Sequence, residues 1–260
     1  MNIIIIYNNS KDVDSKNLNL LLSFLNSKKI KYIINPNILL KENNNCHLII
    51  ALGGDGTVMH GCKYALQYNI PIIGINIGKL GFLTQLNMGN LNLLERLFNK
   101  DYIVDERIII EATLKGNKYY AINDVVIARS EFVRLVDLDL YCNNQKVLPY
   151  RADGLIIATP TGSTAYSLAA GGPIVEYSVA GIVVTPISSH SLNARSIIFN
   201  KDKCLKVISK SNFSLKVSID GNVITDIGED DIVEIKVPNK TCKFINLSER
   251  HYLKIFDVPI

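Results

Sequence analysis

The sequence lacks the cysteine spacing of a zinc or disulfide protein. Its five cysteines are scattered along 260 residues, none of them forms a Cys-x-x-Cys pair, and no histidine stands near one at zinc-finger spacing. We therefore expect no structural zinc site. Reduced thiols in a cytoplasmic protein are the simplest interpretation, because disulfides persist mainly in oxidising compartments.

A long apolar run is missing as well. No segment approaches the roughly 20 apolar residues that a membrane-spanning helix needs, so we expect no membrane partner. Residues 1–7 are mostly apolar, but no basic stretch precedes them and the polar residues 8–10 end the run. This pattern predicts a first strand and not a signal peptide.

A strong excess of charge of either sign is also absent. The formal net charge is +4, with 48% hydrophobic and 20% charged residues, which is typical of a soluble globular protein. Such a charge is too weak to indicate a nucleic-acid partner, but it agrees with a small anionic ligand. At 260 residues the chain can form one large domain or two smaller ones.

The segment Gly53–Thr57, with the sequence Gly-Gly-Asp-Gly-Thr, is the most informative motif present. It follows an apolar run at 47–52 and precedes a helical pattern over 58–66, so it lies in a strand-to-helix turn. Backbone N–H groups of such a turn can bind phosphate oxygens. The candidate phosphate-binding residues are Gly53, Gly54, Gly56 and Thr57.

Asp55 stands inside this candidate anion site. A carboxylate beside phosphate is unfavourable unless it holds a metal ion or takes a proton, and this conflict is what makes the motif informative. The alternative is that the glycines only connect a strand to a helix and that Asp55 caps the helix. The motif is neither the dinucleotide-binding Gly-x-Gly-x-x-Gly pattern nor the P-loop.

The N-terminal half alternates apolar strands with helical patterns. This alternation indicates a parallel sheet covered on both faces, and ligands bind such sheets at the carboxyl ends of the strands. The loops at 53–57 and 78–83 are in that position. The predicted strands are 2–7, 30–34, 47–52 and 70–75, and the predicted helices are 15–27 and 91–98.

From residue 102 onward apolar residues alternate with polar ones. Runs at 136–142, 215–219 and 233–237 have a period of two, and turn signals such as Asp220-Gly221-Asn222 separate them. This pattern predicts an all-β, sandwich-like second domain.

The predicted fold is therefore an α/β N-terminal domain followed by an all-β sandwich C-terminal domain. We place the α/β domain at 1–99 and the β-sandwich domain at 100–247. The only clear helix in the second domain is short, around 163–169.

A second loop, at 159–167, concentrates hydroxyl groups beside a glycine and a proline. Ser163 or Thr164 can cap the short helix that follows, which again offers N–H groups to an anion. Tyr166 can stack on a nucleotide base. The alternative is that Tyr166 is an ordinary core or surface residue.

Two further features lie in the β half. Asn123-Asp124 interrupts an apolar run at 119–127, although both residue types disfavour strands. The pair is either a turn or bulge, or it hydrogen-bonds vicinal sugar hydroxyls. Arg134 and Arg151 are either surface charges or partners of phosphate.

Together these segments resemble the NAD kinase family over most of the chain. The resemblance is carried by 53–57, 123–124, 153–167, 171–175 and 185–192. The first motif alone is shared with diacylglycerol and sphingosine kinases and, loosely, with phosphofructokinases. The segment that begins at Asp153 is far more specific.

The resemblance implies the two-domain NAD kinase fold, with the tail at 248–260 packed back on the first domain. It implies transfer of the γ-phosphoryl group of ATP, or of a phosphoryl group of polyphosphate, to the 2′-hydroxyl of the adenosine ribose of NAD, which gives NADP. It also implies a divalent metal, Mg²⁺ or Mn²⁺, for which we assign no protein ligand, and a homodimer or homotetramer.

The family's site residues carry over to matching positions of this sequence. Asp55 matches the catalytic aspartate that activates the 2′-hydroxyl, and Asn123 and Asp124 match the pair that holds the adenosine half of NAD. The family more often has Asn-Glu at that pair, and many members have Gln at the position of Asn222. The implied NAD-binding residues are Asp55, Gly56, His60, Phe82, Asn123, Asp124, Arg134, Arg151, Asp153, Thr164, Ala165, Tyr166, Ser167, Leu168, Ala169 and Asn222.

Two other functions share part of these features. A lipid or sphingoid-base kinase would carry the Gly-Gly-Asp-Gly motif, but the segment 153–167 and the lack of a membrane-binding amphipathic stretch argue against it. A non-catalytic dinucleotide sensor would keep Asn123 and Tyr166 but would not need Asp55, which is present.

Overall fold

The computed structural model describes residues 1–36, 46–78, 81–130, 134–190 and 194–247. Contacts between these residues divide the chain into two units. One unit holds residues 1–106 together with 242–247, and the other holds residues 107–241. An α/β unit and an all-β unit confirm the predicted fold class. The tail at 248–260, which we predicted to pack on the first domain, lies outside the described residues.

The strands, in chain order, are β1 (Asn2–Tyr7), β2 (Lys31–Ile34), β3 (Cys46–Leu52), β4 (Ile72–Asn76), β5 (Leu86–Asn87), β6 (Ile103–Ile108), β7 (Ile110–Leu114), β8 (Asn117–Ala121), β9 (Asp124–Arg129), β10 (Val136–Cys142), β11 (Gln145–Ala152), β12 (Gly154–Ala158), β13 (Gly181–Ile187), β14 (Ile197–Asn200), β15 (Leu205–Ser209), β16 (Leu215–Ile219), β17 (Asn222–Ile227), β18 (Ile232–Lys236) and β19 (Thr241–Asn246). The α-helices are α1 (Lys16–Ser27), α2 (Asp55–Tyr68), α3 (Glu95–Phe98) and α4 (Tyr166–Ala169). Short 3₁₀ turns lie at Asn9–Lys11, Val13–Ser15, Met88–Leu94 and Thr161–Thr164.

The first unit is built on one sheet with the strand order β2-β1-β3-β4-β19-β6, and β5 also pairs with β4. The pairs β1–β2, β1–β3, β3–β4 and β4–β5 are all parallel. Residues 3–6 are four isoleucines with at most 2% exposure, so β1 is buried on both faces. A continuous run of β-branched residues is typical of such a central parallel strand.

Strand β19 joins this first sheet, although it follows the whole β-sandwich in the chain. Phe244 lies opposite Ile72 of β4 in a parallel pair, and both Phe244 and Ile245 are at most 2% exposed. Side chains on both faces of β19 are therefore buried, as they are in β1. We predicted the second domain to run over 100–247, whereas residues 100–106 and 242–247 belong to the first unit in the structure.

Only the second half of the predicted helix at 91–98 is α-helical. Residues Met88–Leu94 make a 3₁₀ segment, and only Glu95–Phe98 is α-helical. Asn90 has a non-helical backbone with φ of −114°, and Asn87 accepts the N–H of Gly89 with its side chain at 3.0 Å. Asn and Gly have low helix propensity, and Asn side chains compete for backbone groups, so a regular α-helix begins only after this stretch.

The second unit is a sandwich of two antiparallel six-stranded sheets. One sheet has the order β11-β10-β15-β18-β7-β8, and the other has the order β14-β13-β12-β9-β16-β17. Alternate residues of both sheets fill one shared core, including Leu138, Tyr150, Ile157 and Val217. The period of two that the sequence shows is thus the inward and outward alternation of a sandwich. Among the described helices, none combines the length and hydropathy of a membrane-spanning segment.

Helix α1 provides a matched test of the first unit's core. Leu21 is fully buried, whereas its neighbour Leu20 is 49% exposed. We expect Leu21→Ala to lower the free energy of unfolding by about 2–5 kcal/mol, because it removes buried methyl groups and leaves a cavity. Leu20→Ala should change it by less than about 1 kcal/mol. Urea unfolding of both variants measures the difference, and equal losses would contradict the described orientation of α1.

Candidate active site

The Gly53–Thr57 motif joins the carboxyl end of β3 to the first turn of α2. The Gly53 N–H donates to the Ile75 carbonyl at 2.9 Å, which ties the motif to the neighbouring strand β4. Gly54 is the N-cap residue of α2, and no side chain caps that helix. The Thr57 N–H donates to the Gly54 carbonyl at 2.9 Å, whereas the N–H groups that precede it in the first turn have no intrahelical acceptor. Because Gly56 is exposed in that turn, the motif can present N–H groups to an anion.

The Asp55 carboxylate binds a different loop and not its own helix. One of its oxygens accepts the Phe82 N–H at 2.9 Å, and the other accepts the Leu83 N–H at 3.1 Å. The alternative that Asp55 only caps α2 is therefore wrong. The carboxylate instead joins the two loops that follow β3 and β4, which are the two loops that sequence analysis placed at the ligand-binding edge of the sheet.

The other two candidates of the first unit lie beside this arrangement. Phe82 is half-buried, and its backbone is one of the two donors to Asp55. His60 is exposed on α2, and its ring meets the Tyr64 ring edge-to-face with centroids 5.6 Å apart. The structure thus brings Phe82 to Asp55, whereas the ring contact of His60 is with Tyr64.

In the second unit, the Asn123-Asp124 pair sits at a break between two strands. Strand β8 ends at Ala121 and β9 begins at Asp124, and the chain bends at residues 122 and 123 between them. The break is held by Asp220, whose carboxylate accepts the N–H groups of Ile122, Asn123 and Asp124 at 3.0, 2.8 and 3.1 Å. The side chain of Asn123 is half-buried, and that of Asp124 is buried.

Asp124 and Asp220 place two carboxyl groups close together. Asp124 is 5% exposed. Burial first, and the negative charge of Asp220 second, raise the pKa of Asp124 from its ordinary value of 3.8 to about 7. Both causes disfavour the ionised form, so Asp124 changes its protonation state near neutral pH and can then donate as well as accept a hydrogen bond.

The loop at 159–164 packs directly against this pair. The Thr159 N–H donates to the Asn123 carbonyl at 2.8 Å, and the Thr159 hydroxyl donates to the Ile122 carbonyl at 2.6 Å. A Cβ on Gly162 would lie 2.0 Å from the Asn123 carbonyl oxygen, so only glycine allows this approach. Two segments that are distant in the sequence are therefore in direct contact.

The residues around Tyr166 differ in how deeply their side chains are buried. Tyr166 begins α4 and is 47% exposed, which excludes a core position for its ring. Ser167 is buried and shares a hydrogen bond of 2.9 Å with Thr185. Leu168, Ala165 and Thr164 are half-buried, and Ala169 is exposed.

The prediction that Ser163 or Thr164 caps α4 is wrong. Ala165 is the N-cap residue, and no side chain caps the helix. The buried Ser163 hydroxyl instead donates to the Pro160 carbonyl at 2.7 Å and accepts the Val175 N–H at 3.0 Å. Thr164 donates to the Thr161 carbonyl at 3.2 Å. These hydroxyls shape the loop rather than the helix end.

The charged candidates of the second unit differ in how well they are fixed. Asp153 forms an ion pair with Arg129 at 3.0 Å, and Arg129 also donates its backbone N–H to the Asp153 carbonyl at 3.1 Å. Arg151 is exposed, with a long contact of 3.9 Å to Asp137. The structure therefore does not bring Arg151 into an ion pair with Asp153.

Arg134 and Asn222 lie at the surface. The Arg134 guanidinium is 5.8 Å from the centroid of the Phe213 ring. Asn222 is exposed and donates its side-chain N–H to the Asp220 carbonyl at 3.2 Å. Asn222 thus stands beside the residue that holds the Asn123 segment.

The sequence pattern does not indicate the roles of Arg129 and Asp220. We read Asp220-Gly221 as a turn signal, and the turn is present between β16 and β17 with positive φ values of 48° and 77°. The sequence shows no sign that the Asp220 carboxylate also holds residues about 100 positions earlier. Arg129 likewise reads as the ordinary last residue of an apolar strand.

The raised pKa of Asp124 predicts how the free energy of unfolding depends on pH. Since its pKa is higher in the folded protein, its stabilising contribution is fully present below about pH 4 and is lost as the pH rises through about 7. As the pH rises from 5 to 8, the free energy of unfolding of the wild type should fall by about 2–3 kcal/mol relative to that of Asp124→Asn, which has no carboxyl group to ionise. Urea unfolding at both pH values measures this difference.

The control for that experiment is Asp202→Asn, at an exposed turn residue. This variant should follow the wild-type pH dependence of unfolding. If Asp124→Asn also kept the wild-type pH dependence, the raised pKa of Asp124 would be contradicted.

Gly162 allows a second prediction. We expect Gly162→Ala to destabilise the protein by about 1–3 kcal/mol, because its Cβ forces the loop away from the Asn123 carbonyl. Gly228→Ala is the matched control, since no atom lies within 4 Å of its Cβ position. Thermal unfolding compares the two, and an unchanged melting temperature in Gly162→Ala would contradict the described close contact.

Family models match both halves of the chain. A model of the ATP-NAD kinase N-terminal domain matches residues 10–102, and a model of the ATP-NAD kinase C-terminal domain matches residues 122–247. Two solved structures resemble the fold. Yeast NADH kinase complexed with NADH has a TM-score of 0.85 at 23% identity and covers 99% of this chain and 86% of its own. An NAD kinase from Archaeoglobus fulgidus in complex with ATP has a TM-score of 0.78 at 22% identity and covers 98% of this chain and 96% of its own.

Curated relatives match at higher identity. The NAD kinase of Caldicellulosiruptor saccharolyticus is 37% identical over 249 residues, which cover 95% of each chain. The NAD kinase of Clostridium tetani is 35% identical over 256 residues, which cover 94% of this chain and 92% of the relative. Relatives at these identities over nearly the full length show the family directly, and this chain belongs to the NAD kinase family.

Proposed function

We propose that this chain transfers the γ-phosphoryl group of ATP to the 2′-hydroxyl of the adenosine ribose of NAD and so makes NADP. The observation that carries the proposal is the Asp55 carboxylate at the first turn of α2, held by two backbone N–H groups of the next loop. Membership of the NAD kinase family supports the same reaction.

In this proposal the first unit holds the phosphoryl donor. The Gly53–Thr57 turn binds phosphate oxygens, with Gly53, Gly54, Gly56 and Thr57 as the contact residues. The Gly53 and Thr57 N–H groups already donate to the Ile75 and Gly54 carbonyls, so Gly54 and Gly56 are the proposed N–H donors. Asp55 orients or deprotonates the 2′-hydroxyl that attacks the γ-phosphorus. Both Asp55 oxygens already accept an N–H bond, so the carboxylate keeps one orientation while its other lone pairs remain to meet the hydroxyl.

The second unit holds NAD by its adenosine half. Asn123 and Asp124 hydrogen-bond sugar hydroxyls, and the exposed Tyr166 ring stacks on adenine. Asp124 is able to act as a donor or an acceptor there because its pKa is raised to about 7. The remaining proposed NAD contacts are Gly56, His60, Phe82, Arg134, Arg151, Asp153, Thr164, Ala165, Ser167, Leu168, Ala169 and Asn222.

A divalent metal, Mg²⁺ or Mn²⁺, belongs to the proposal as a partner of the phosphates. In the part of the chain that the structure describes, no group of three or more His, Cys, Asp or Glu side chains could hold a metal ion. Proteins usually hold Mg²⁺ through one or two carboxylates together with substrate phosphates. Asp55 is the carboxylate next to the proposed phosphate site, and a bound metal would neutralise charge on the transferred phosphoryl group.

Three finer points also stand as proposals. Polyphosphate is a second donor to be tried, because backbone N–H groups that bind phosphate oxygens do not distinguish donors by their base. We propose a homodimer or homotetramer, and a cytoplasmic location. The five cysteines are all free thiols in the structure, which agrees with a reducing compartment.

The central test is Asp55→Asn. Purified protein is incubated with NAD, ATP and Mg²⁺, and NADP is detected with an NADP-specific dehydrogenase; parallel reactions use polyphosphate or NADH. Because a positioned general base commonly contributes about 10²–10⁴-fold, we expect turnover to fall at least 10²-fold in the variant. NAD should still raise the melting temperature, since its proposed contacts in the second unit remain.

The matched control is Asp14→Asn, at an exposed residue with a positive φ of 56° that Asn also tolerates. It should keep wild-type turnover. Near-normal turnover in Asp55→Asn would exclude the base role, and a shifted Mg²⁺ dependence of its residual activity would indicate a metal ligand instead. If the wild-type protein bound NAD but formed no NADP with any donor, the alternative of a non-catalytic dinucleotide sensor would be favoured.

A further inference from the structure

Behind Asp55 lies a pair of buried polar side chains that neither the motif nor the family resemblance singled out. Asn76 ends strand β4 and is 3% exposed, and Thr84 is fully buried. The Asn76 amide donates to the Thr84 hydroxyl oxygen at 3.2 Å. Nearly all buried polar groups in folded proteins have hydrogen-bond partners, and the other partners of this pair are backbone groups.

The pair holds the backbone of the loop that follows β4. Asn76 accepts the Gly78 N–H at 2.6 Å, and Thr84 accepts the Gly81 N–H at 3.0 Å. The loop is tied to the sheet as well, because the Gln85 N–H donates to the Gly74 carbonyl at 2.9 Å. Both sides of residues 82 and 83 are thereby fixed to β4.

Residues 82 and 83 are the two donors to Asp55. The Phe82 and Leu83 N–H groups bind one carboxylate oxygen each, and they follow directly after the Gly81 N–H that Thr84 holds. The packing is close, since a Cβ on Gly81 would lie 2.2 Å from an Asp55 oxygen. A short path of hydrogen bonds therefore runs from Asn76 and Thr84, through the backbone of 81–83, to the Asp55 carboxylate.

We infer that Asn76 and Thr84 are positioning residues for phosphoryl transfer. They orient the two N–H groups that set the direction of the Asp55 carboxylate, and because both side chains are buried we assign neither a substrate contact. This inference rests on the proposed role of Asp55. Its physical basis is that a base has to meet the attacking hydroxyl in a narrow range of geometry, and a displacement of about 1 Å costs about 100-fold in rate.

The test compares Thr84→Val with Thr84→Ser. Valine keeps the shape of threonine but removes the acceptor for the Gly81 N–H, whereas serine keeps the hydroxyl. We expect Thr84→Val to lower kcat about tenfold or more with KM for NAD within about twofold, and Thr84→Ser to restore most of kcat. Thr113→Val, the same change at a half-buried residue of β7 in the other unit, is the control and should keep the wild-type kcat.

A double-mutant cycle separates positioning from a general loss of structure. If Thr84 acts through Asp55, then Thr84→Val should have no further effect on kcat in the Asp55→Asn background. A further loss of similar size in that background would show that Thr84 acts independently and would overturn the inference. All variants are assayed at least 15–20 °C below their own melting temperatures, so that unfolding does not enter kcat.

Other outcomes are equally decisive. An unchanged kcat in Thr84→Val, or a loss that Thr84→Ser does not restore, overturns the positioning role while the proposed function stands. If Asp55→Asn has no measurable residual turnover, the double-mutant cycle cannot be read. The positioning role is then decided by whether Thr84→Ser keeps most of kcat and whether Thr84→Val lowers kcat without changing KM for NAD. A wild-type protein that forms no NADP instead overturns the proposed function, on which the inference rests.

Discussion

The candidate site depends on one kind of interaction, a carboxylate that accepts backbone N–H groups from a distant segment. Asp55 does this for residues 82 and 83, and Asp220 does it for residues 122–124. Residues 82, 83, 122 and 123 lie outside the strands, so their N–H groups need other acceptors. Hydrogen bonds to charged groups contribute about 1.5–3 kcal/mol each, which is enough to select one loop conformation. In each unit some of the proposed functional residues, namely Phe82, Asn123 and Asp124, belong to the segment that is held.

The Asp55 carboxylate and the Asn123 carbonyl approach their neighbouring segments so closely only because glycine stands at each contact. Gly81 leaves room for the Asp55 oxygens, and Gly162 leaves room for the Asn123 carbonyl. The glycines of this protein therefore do more than bend the chain. They allow polar groups from two segments to meet without an intervening methyl group, and that contact sets the position of Asp55 in one unit and of Asn123 in the other.

Holding the Asn123 segment has an electrostatic consequence in the second unit. Burial is the larger cause that raises the pKa of Asp124 to about 7, and the nearby negative charge of Asp220 raises it further. A glutamate, one methylene longer, would place its carboxyl group differently relative to Asp220. The aspartate at this position thus gives the chain a polar group that titrates near neutral pH, beside the segment that we propose to hold sugar hydroxyls.

The sequence by itself determined the fold class and the two principal segments, because both depend on local patterns. Continuous isoleucines at 3–6 specify a buried parallel strand, alternation after residue 102 specifies a sandwich, and Gly53–Thr57 specifies a strand-to-helix turn. Tertiary structure alone decided that β19 returns to the first sheet, that Asp55 binds the next loop, and that Asp220 and Thr84 hold backbone from afar. These features depend on pairings between residues that are separated in sequence and have no periodic signature. A hydrogen bond between a side chain and a remote N–H group becomes visible only when the folded chain brings the two together.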